Sequence, residues 1–208
     1  MDKIICVGKN YLDHAQELGD AVPEMPVLFF KPPSSLAIAK ANGETLKVPF
    51  ASGRGALHHE CEIVVRLGKG GRNLSTDQAE KLIESVTIGL DMTLRDLQSE
   101  LKKKGHPWEM GKVFDGAAIV GPWVPAVDFE KFEEQSFTLK VDGQRRQQGN
   151  PADMRLSIAE CIAYASEYFT LCEGDLLFSG TPAGVGPVTL GQTAELSWGP
   201  IQYSVLWT

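Results

Sequence analysis

The chain has 208 residues, 43% of them apolar and 23% charged, the proportions of an ordinary soluble globular protein. A chain this long buries about 70% of the surface its unfolded form exposes, so one domain over residues 1–208 is expected to fold without a disulfide or structural metal. A net charge of −7, with basic clusters only at 102–104 and 145–146 and no aromatics interleaved, excludes a nucleic-acid surface, and apolar runs as short as 27–30 and 117–120 exclude a membrane-spanning helix.

In chain order, residues 3–7 read as a first strand, and 10–18 as a short helix with Asn10 as N-cap and Gly19 as stop. Residues 27–30 read as a second strand, with 62–67 and 86–90 as interior strands. A helix over 75–85 opens on the capping-box pattern Ser75-x-x-Gln78. A helix over 93–104 stops at Gly105, with three lysines in its last turn where the helix dipole favours cations. Strands 137–141 and 144–148 meet at Asp142-Gly143, a tight hairpin turn. A helix over 157–169 puts Ile158, Ile162, Ala165 and Phe169 on one core-facing stripe. An apolar strand at 175–178 is followed by a last pair, 194–198 and 201–207, separated by Gly199-Pro200. Strands outnumber helices and do not alternate with them, which predicts an α+β, β-rich roll. Cys6, Cys61, Cys161 and Cys172 are scattered, with no C-x-x-C pair. With no signal peptide at the N-terminus, buried free thiols and a cytoplasmic location are expected.

Chemistry first shows in His58-His59-Glu60-Cys61-Glu62. On a strand, Glu60 and Glu62 point the same way and Cys61 the other. Two carboxylates about 4 Å apart repel by roughly 4 kcal/mol at an effective dielectric of 20, so a cation must neutralise them. Asp91 ends an apolar strand just before a helix, a rigid place to present a third acid. An oxygen-only trio suits Mg²⁺, Mn²⁺ or Ca²⁺ rather than Zn²⁺. Pairing of the two glutamates with Arg66 or Arg54 on a wet strand face is the alternative. His58 shares their face, as a ligand or as a hydrogen-bonded structural histidine.

Three further segments carry chemistry. His14 and Glu17 are helix neighbours, so the carboxylate can orient an imidazole acting as general base. Lys112, among aromatic and apolar residues in 108–115, either meets an anion while buried or snorkels to solvent. The glycine-rich stretch 179–187 lets backbone N–H groups approach an anionic ligand, or is simply a turn. It carries neither a P-loop nor a dinucleotide fingerprint.

Taken together, GKNYLDHAQE (8–17), PVLFFKP (26–32), HHECE (58–62), LDMTLRDLQ (90–98), PWEMGKVFD (107–115) and SGTPAGVGP (179–187) resemble the fumarylacetoacetate hydrolase family, in its short acylpyruvase-like branch. The resemblance implies a mixed β-sandwich roll, a homodimer, and Mg²⁺ or Mn²⁺ held by Glu60, Glu62 and Asp91. It implies that Lys112 is catalytic beside the metal, that Arg95, Gln98 and Thr181 meet substrate, that Lys31 lines the site, and that His14 and Glu17 form a catalytic pair on a lid helix. Gly111 stands where relatives often carry Ala, a change expected to loosen the loop bearing Lys112. The implied activity is hydrolysis of the C–C bond of 2,4-diketo acids such as acetylpyruvate or fumarylpyruvate. Oxaloacetate decarboxylation or keto–enol tautomerisation at the same site is the alternative, and a non-catalytic metal-binding module the third reading.

Overall fold

The long apolar strands dictate the architecture, because both of their faces must be covered. A computed structural model describes residues 1–13, 25 and 27–208. Among them, β1 (Ile4–Gly8), β2 (Val27–Lys31), β3 (Leu36–Ile38), β6 (Cys61–Leu67), β7 (Ile83–Asp91), β9 (Ala118–Val120) and β13 (Leu176–Phe178) form one mixed sheet in the order β2-β1-β13-β6-β7-β9-β3, with β10 (Val124–Pro125) paired to β7. A second sheet orders β12 (Gln144–Gly149), β11 (Phe137–Val141), β15 (Thr193–Trp198), β16 (Ile201–Trp207) and β4 (Thr45–Val48). A small third sheet joins β14 (Gly186–Val188), β5 (Leu57–His59) and β8 (Thr93–Leu94). The β-rich α+β roll expected from the sequence is the fold observed.

Strand alternation divides labour between the faces of the large sheet. Cys61, Ile63 and Val65 of β6 join Ile88 and Leu90 of β7 in the main core, against the five-stranded sheet. There the Tyr203 hydroxyl donates to the Ile88 carbonyl at 3.1 Å. Val64 points the other way, into a smaller cluster with Ile4, Cys6, Phe29 and Phe178. Glu62 shares the parity of Val64, so one strand builds core on one face and a polar site on the other. The β6–β7 register sets Glu62 opposite Gly89 and Cys61 opposite Leu90, and the Asp91 amide bonds the Glu60 carbonyl at 2.9 Å.

Helices are shorter than the periodicity suggests. The expected 75–85 helix is Thr76–Glu80, capped by the Ser75/Gln78 box, and Ile83 already begins β7. Leu82 and Val86 are claimed by the sheet core, which overrides helix propensity there. The expected 93–104 helix begins as β8 and becomes helical at Arg95–Lys103. The 157–169 stripe is the helix Ile158–Tyr168, with its own capping box at Ser157/Glu160. Residues 14–18 of the expected N-terminal helix, including His14 and Glu17, lie outside the described residues. Among the described residues no helix is long and apolar enough to cross a membrane.

The chain start is fastened by one buried carboxylate. Asp175 accepts from the backbone N–H groups of Asp2 (2.9 Å), Lys3 (3.0 Å) and Cys172 (2.8 Å), and pairs with the Lys3 ammonium at 2.7 Å. It thereby locks β1 alongside its parallel partner β13. Burial opposes the charge on Asp175, but the Lys3 ion pair and the three N–H bonds win and hold the carboxyl below its ordinary 3.8. Asp175→Asn is expected to cost about 3 kcal/mol, lowering the melting temperature by roughly 6–12 °C. Because the folded pKa is depressed, the wild-type advantage is full above the ordinary carboxylate pKa and shrinks as pH falls below it. Melting curves of both proteins from neutral pH down to about pH 3 check this.

Candidate metal centre

Glu60 stands in the one-residue gap between β5 and β6, Glu62 is the second residue of β6, and Asp91 is the last of β7. Each is buried, and one oxygen from each lies within 4.8 Å of the others. Among the described residues, three cations surround them. The Lys112 ammonium donates to Glu60 Oε2 at 2.9 Å and Asp91 Oδ2 at 2.7 Å, the Arg95 guanidinium pairs with Glu60 Oε1, and Lys31 Nζ lies 2.8 Å from Asp91 Oδ1. Burial disfavours the charge on Lys112, but the fields of Asp91 and Glu60 and their hydrogen bonds raise its pKa and keep it cationic.

That neutralisation is uneven. Glu62 accepts the Gly180 N–H at 2.8 Å, yet among the described residues it makes no ion pair. Burial, then the Asp91 and Glu60 charges, push its carboxyl well above the usual range. Asp91 Oδ1, although close to Lys31, accepts no aligned hydrogen bond. Buried, oxygen-only and short of positive charge at Glu62, the trio has the donor set of a hard divalent cation such as Mg²⁺ or Mn²⁺.

Local sequence explains the placements. Gly180, at φ +99°, brings its N–H to Glu62 where a Cβ would come within 3.0 Å of the Val7 carbonyl. At Gly111 a Cβ would come within 2.8 Å of Gln98 Cβ and 3.0 Å of its backbone. The glycine thus lets the Lys112 segment pack tightly on the Arg95–Lys103 helix, the reverse of the looser loop expected.

The acids open into a cavity of about 520 Å³, which Arg95, Gln98, Lys112 and Thr181 also line. Arg95 donates to Gln98 Oε1 at 2.8 Å. Seven of the expected site residues therefore share one cavity: Glu60, Glu62, Asp91, Arg95, Gln98, Lys112 and Thr181. Lys31 does not join them. Its side chain is fully buried, and the ammonium donates to the Met92 and Lys112 carbonyls, behind Asp91. It braces Asp91 from beneath, because the short reach from β2 ends below the cavity. The arginines offered as partners for the glutamates lie elsewhere, Arg66 pairing with Glu84 at 2.7 Å and Arg54 in a surface groove beside Asp96. His58 is half-buried near Arg95 and lies outside the acid cluster.

One side chain that braces the site carried no signal in the sequence. Gln147, buried on β12 of the other sheet, accepts the Cys61 N–H at 3.0 Å through Oε1 and donates through Nε2 to Thr181 Oγ1 at 2.8 Å and the Pro182 carbonyl at 2.9 Å. His59 Nδ1 must then be the donor to Gln147 Oε1, at 2.9 Å. Burial pushes the His59 imidazole down to about 4, so the ring is neutral. Thr181 in turn donates its hydroxyl proton to the Cys61 carbonyl at 2.8 Å. Its oxygen therefore meets the cavity as an acceptor only.

The family model described as fumarylacetoacetate (FAA) hydrolase C-terminal matches residues 3–200. The oxaloacetate tautomerase YcgM of Escherichia coli is 42% identical over 199 residues, covering 95% of this chain and 89% of that protein. The mitochondrial oxaloacetate tautomerase of Bos taurus is 42% identical over 185 residues, covering 89% and 81%. The crystal structure of fumarylpyruvate hydrolase from Pseudomonas aeruginosa, in complex with Mn²⁺ and pyruvate, superposes with a TM-score of 0.92 at 38% identity, over all of this chain and 91% of that one. A buried acid trio on this roll, matched along nearly its whole length, makes the chain a member of the fumarylacetoacetate hydrolase family.

Proposed function

We propose that this protein is a divalent-metal-dependent keto–enol tautomerase of oxaloacetate. The observation that carries the reading is the pairing of the buried acid trio with a Lys112 ammonium that stays charged, supported by the 42% identity to proteins named oxaloacetate tautomerases. A divalent ion held by Glu60, Glu62 and Asp91 supplies, when bound, Lewis-acid polarisation of a 2-keto acid and a sink for enolate charge. Lys112 donates hydrogen bonds toward the oxygen that gains negative charge as the C3 proton passes to water and that is then protonated to give the enol, a preorganised field among buried side chains. Arg95, held on Glu60 and Gln98, orients the ligand carboxylate. Thr181, its own proton spent on the Cys61 carbonyl, accepts from a ligand O–H, and an enol offers one where a keto form does not.

A second reading, cleavage of acylpyruvates to pyruvate and a carboxylate, draws support from the likeness to fumarylpyruvate hydrolase. In that reaction His14, with Glu17 beside it in the sequence, takes the proton of an attacking water, which tautomerisation does not need. Assays with Mg²⁺ on oxaloacetate, acetylpyruvate and fumarylpyruvate, with products identified, separate enol–ketone exchange, loss of CO₂ and C–C cleavage. Faster exchange of oxaloacetate than cleavage of either diketo acid supports the first reading, and the reverse order overturns it. His14→Ala is expected to lower any diketo acid cleavage about 100-fold or more, with oxaloacetate exchange reduced far less. Parallel assays of the two reactions on that variant check the assignment.

A further inference from the structure

We propose that Gln147 is a positioning residue that holds Glu60, Glu62 and Thr181 in one arrangement by standing in for a missing strand at Cys61. The proposal rests on the reading that the acid trio holds a divalent ion, and deepens it by naming what fixes the spacing of two of the acids. The backbone of β6 shows the need. The Asp91 N–H bonds the Glu60 carbonyl, so Cys61, opposite Leu90 in the next pair, turns its own N–H and carbonyl away from β7. On that side β6 has run past β13, whose last paired residue, Phe178, faces Val64, and the ladder ends with the Ser179 N–H on the Ile63 carbonyl. Cys61 is buried, so its two backbone groups need partners from elsewhere.

Gln147 and Thr181 supply them. Gln147 Oε1 accepts the Cys61 N–H, which belongs to the peptide joining Glu60 to Cys61. The Thr181 hydroxyl donates to the Cys61 carbonyl, which belongs to the peptide joining Cys61 to Glu62. Gln147 Nε2 closes the clamp by donating to Thr181 Oγ1. Its second proton goes to the Pro182 carbonyl and its second acceptor position to His59, so the whole amide is used. A glutamate would lack the donors, and an asparagine would be a methylene short. The same bonds fasten residues 180–182, where the Gly180 N–H meets Glu62. Gly184 lets this loop lie against β12, because at φ +96° a Cβ there would overlap the Arg146 carbonyl and come within 3.3 Å of Gln147 Cγ. One amide from the second sheet thereby sets both peptides between the glutamates and the hydroxyl that faces the cavity.

The test measures Mg²⁺ affinity by calorimetry with no keto acid present, beside melting curves in a chelator. The proteins are the wild type, Gln147→Met, Thr181→Val, Thr181→Ser and, as control, Leu139→Val. Leu139 is buried on β11 opposite Gln147, so its truncation lowers stability without touching these bonds. Gln147→Met is expected to bind Mg²⁺ about tenfold more weakly than the wild type. Thr181→Val, which removes one bond of the clamp at nearly constant shape, is expected to lose about three- to tenfold, and it carries the test should Gln147→Met fail to fold. Thr181→Ser keeps the hydroxyl and, like Leu139→Val, is expected to bind as the wild type does. Combining Gln147→Met with Thr181→Val should weaken binding by less than the product of the single effects. A full product would overturn the coupling of the two side chains. Wild-type affinity in Gln147→Met or Thr181→Val, or an equal loss in Leu139→Val, would overturn the positioning role while leaving the metal site standing. A wild type that does not bind Mg²⁺ would overturn the metal reading itself, and this role with it.

Discussion

Lys112→Met is expected to lower turnover of oxaloacetate about 100- to 1,000-fold while Mg²⁺ binding is kept or tightened. Methionine retains the contact with Phe29 and removes the charge, so packing changes little. Glu60 and Asp91 then lose their shared ammonium, which sits 2.9 and 2.7 Å from them. The metal-free variant is therefore destabilised by about 3 kcal/mol, since removing one partner of a buried ion pair leaves carboxylates uncompensated. A divalent ion restores the balance, so added Mg²⁺ is expected to raise the melting temperature more in Lys112→Met than in the wild type. A merely structural lysine predicts the opposite pattern, with metal binding and activity lost together. Melting curves with and without Mg²⁺, beside kcat and KM, tell the two apart.

The acid trio was legible because strand alternation is a strict rule: E-x-E entering an apolar strand must face one way, and the core must take Cys61. Asp91 was legible for the same reason, as the polar end of a strand that is otherwise buried. Helix ends were less so. The residues at 82–86 fit either period, and only the pairing of β7 with β6 decides for the sheet. Gln147 was hidden twice over. It lies in the polar run QRRQQG, and the register of β12 slips by a bulge beside Leu139, so its inward face cannot be counted from the hairpin turn. Had the bulge been known, the pairing of Gln147 with buried Leu139 would have turned it inward. Lys31 failed differently. Its residue type and motif were right, but depth below the cavity depends on which carbonyls close over the ammonium, and those come from Met92 and Lys112, far along the chain.

Glu62→Gln should act in the opposite sense to Lys112→Met on the metal-free protein. Among the described residues Glu62 is the member of the trio without an ion pair, and its ionised form is opposed by burial and by Asp91 and Glu60. An amide of the same shape keeps an oxygen for the Gly180 N–H, now 2.8 Å from Glu62 Oε2, and removes the repulsion. In a chelator the variant is expected to melt about 2–4 °C higher than the wild type, the shift that about 1 kcal/mol produces in a protein of this size. With metal the order reverses. Mg²⁺ affinity is expected to fall at least 100-fold, because losing a ligand costs more than the 10- to 100-fold lost when only a ligand's support is removed. The thermal response to Mg²⁺ should disappear with it, and turnover should follow the metal. A Glu62→Gln protein that melts lower in chelator, or that still gains stability from Mg²⁺ as the wild type does, would mean that Glu62 is held by its surroundings and not by the need for a cation. The pair of variants thus tests one physical statement from both sides: the site is nearly neutral without metal, and its acids and its lysine are placed so that a divalent ion makes it strongly positive, the field that the proposed enolate needs.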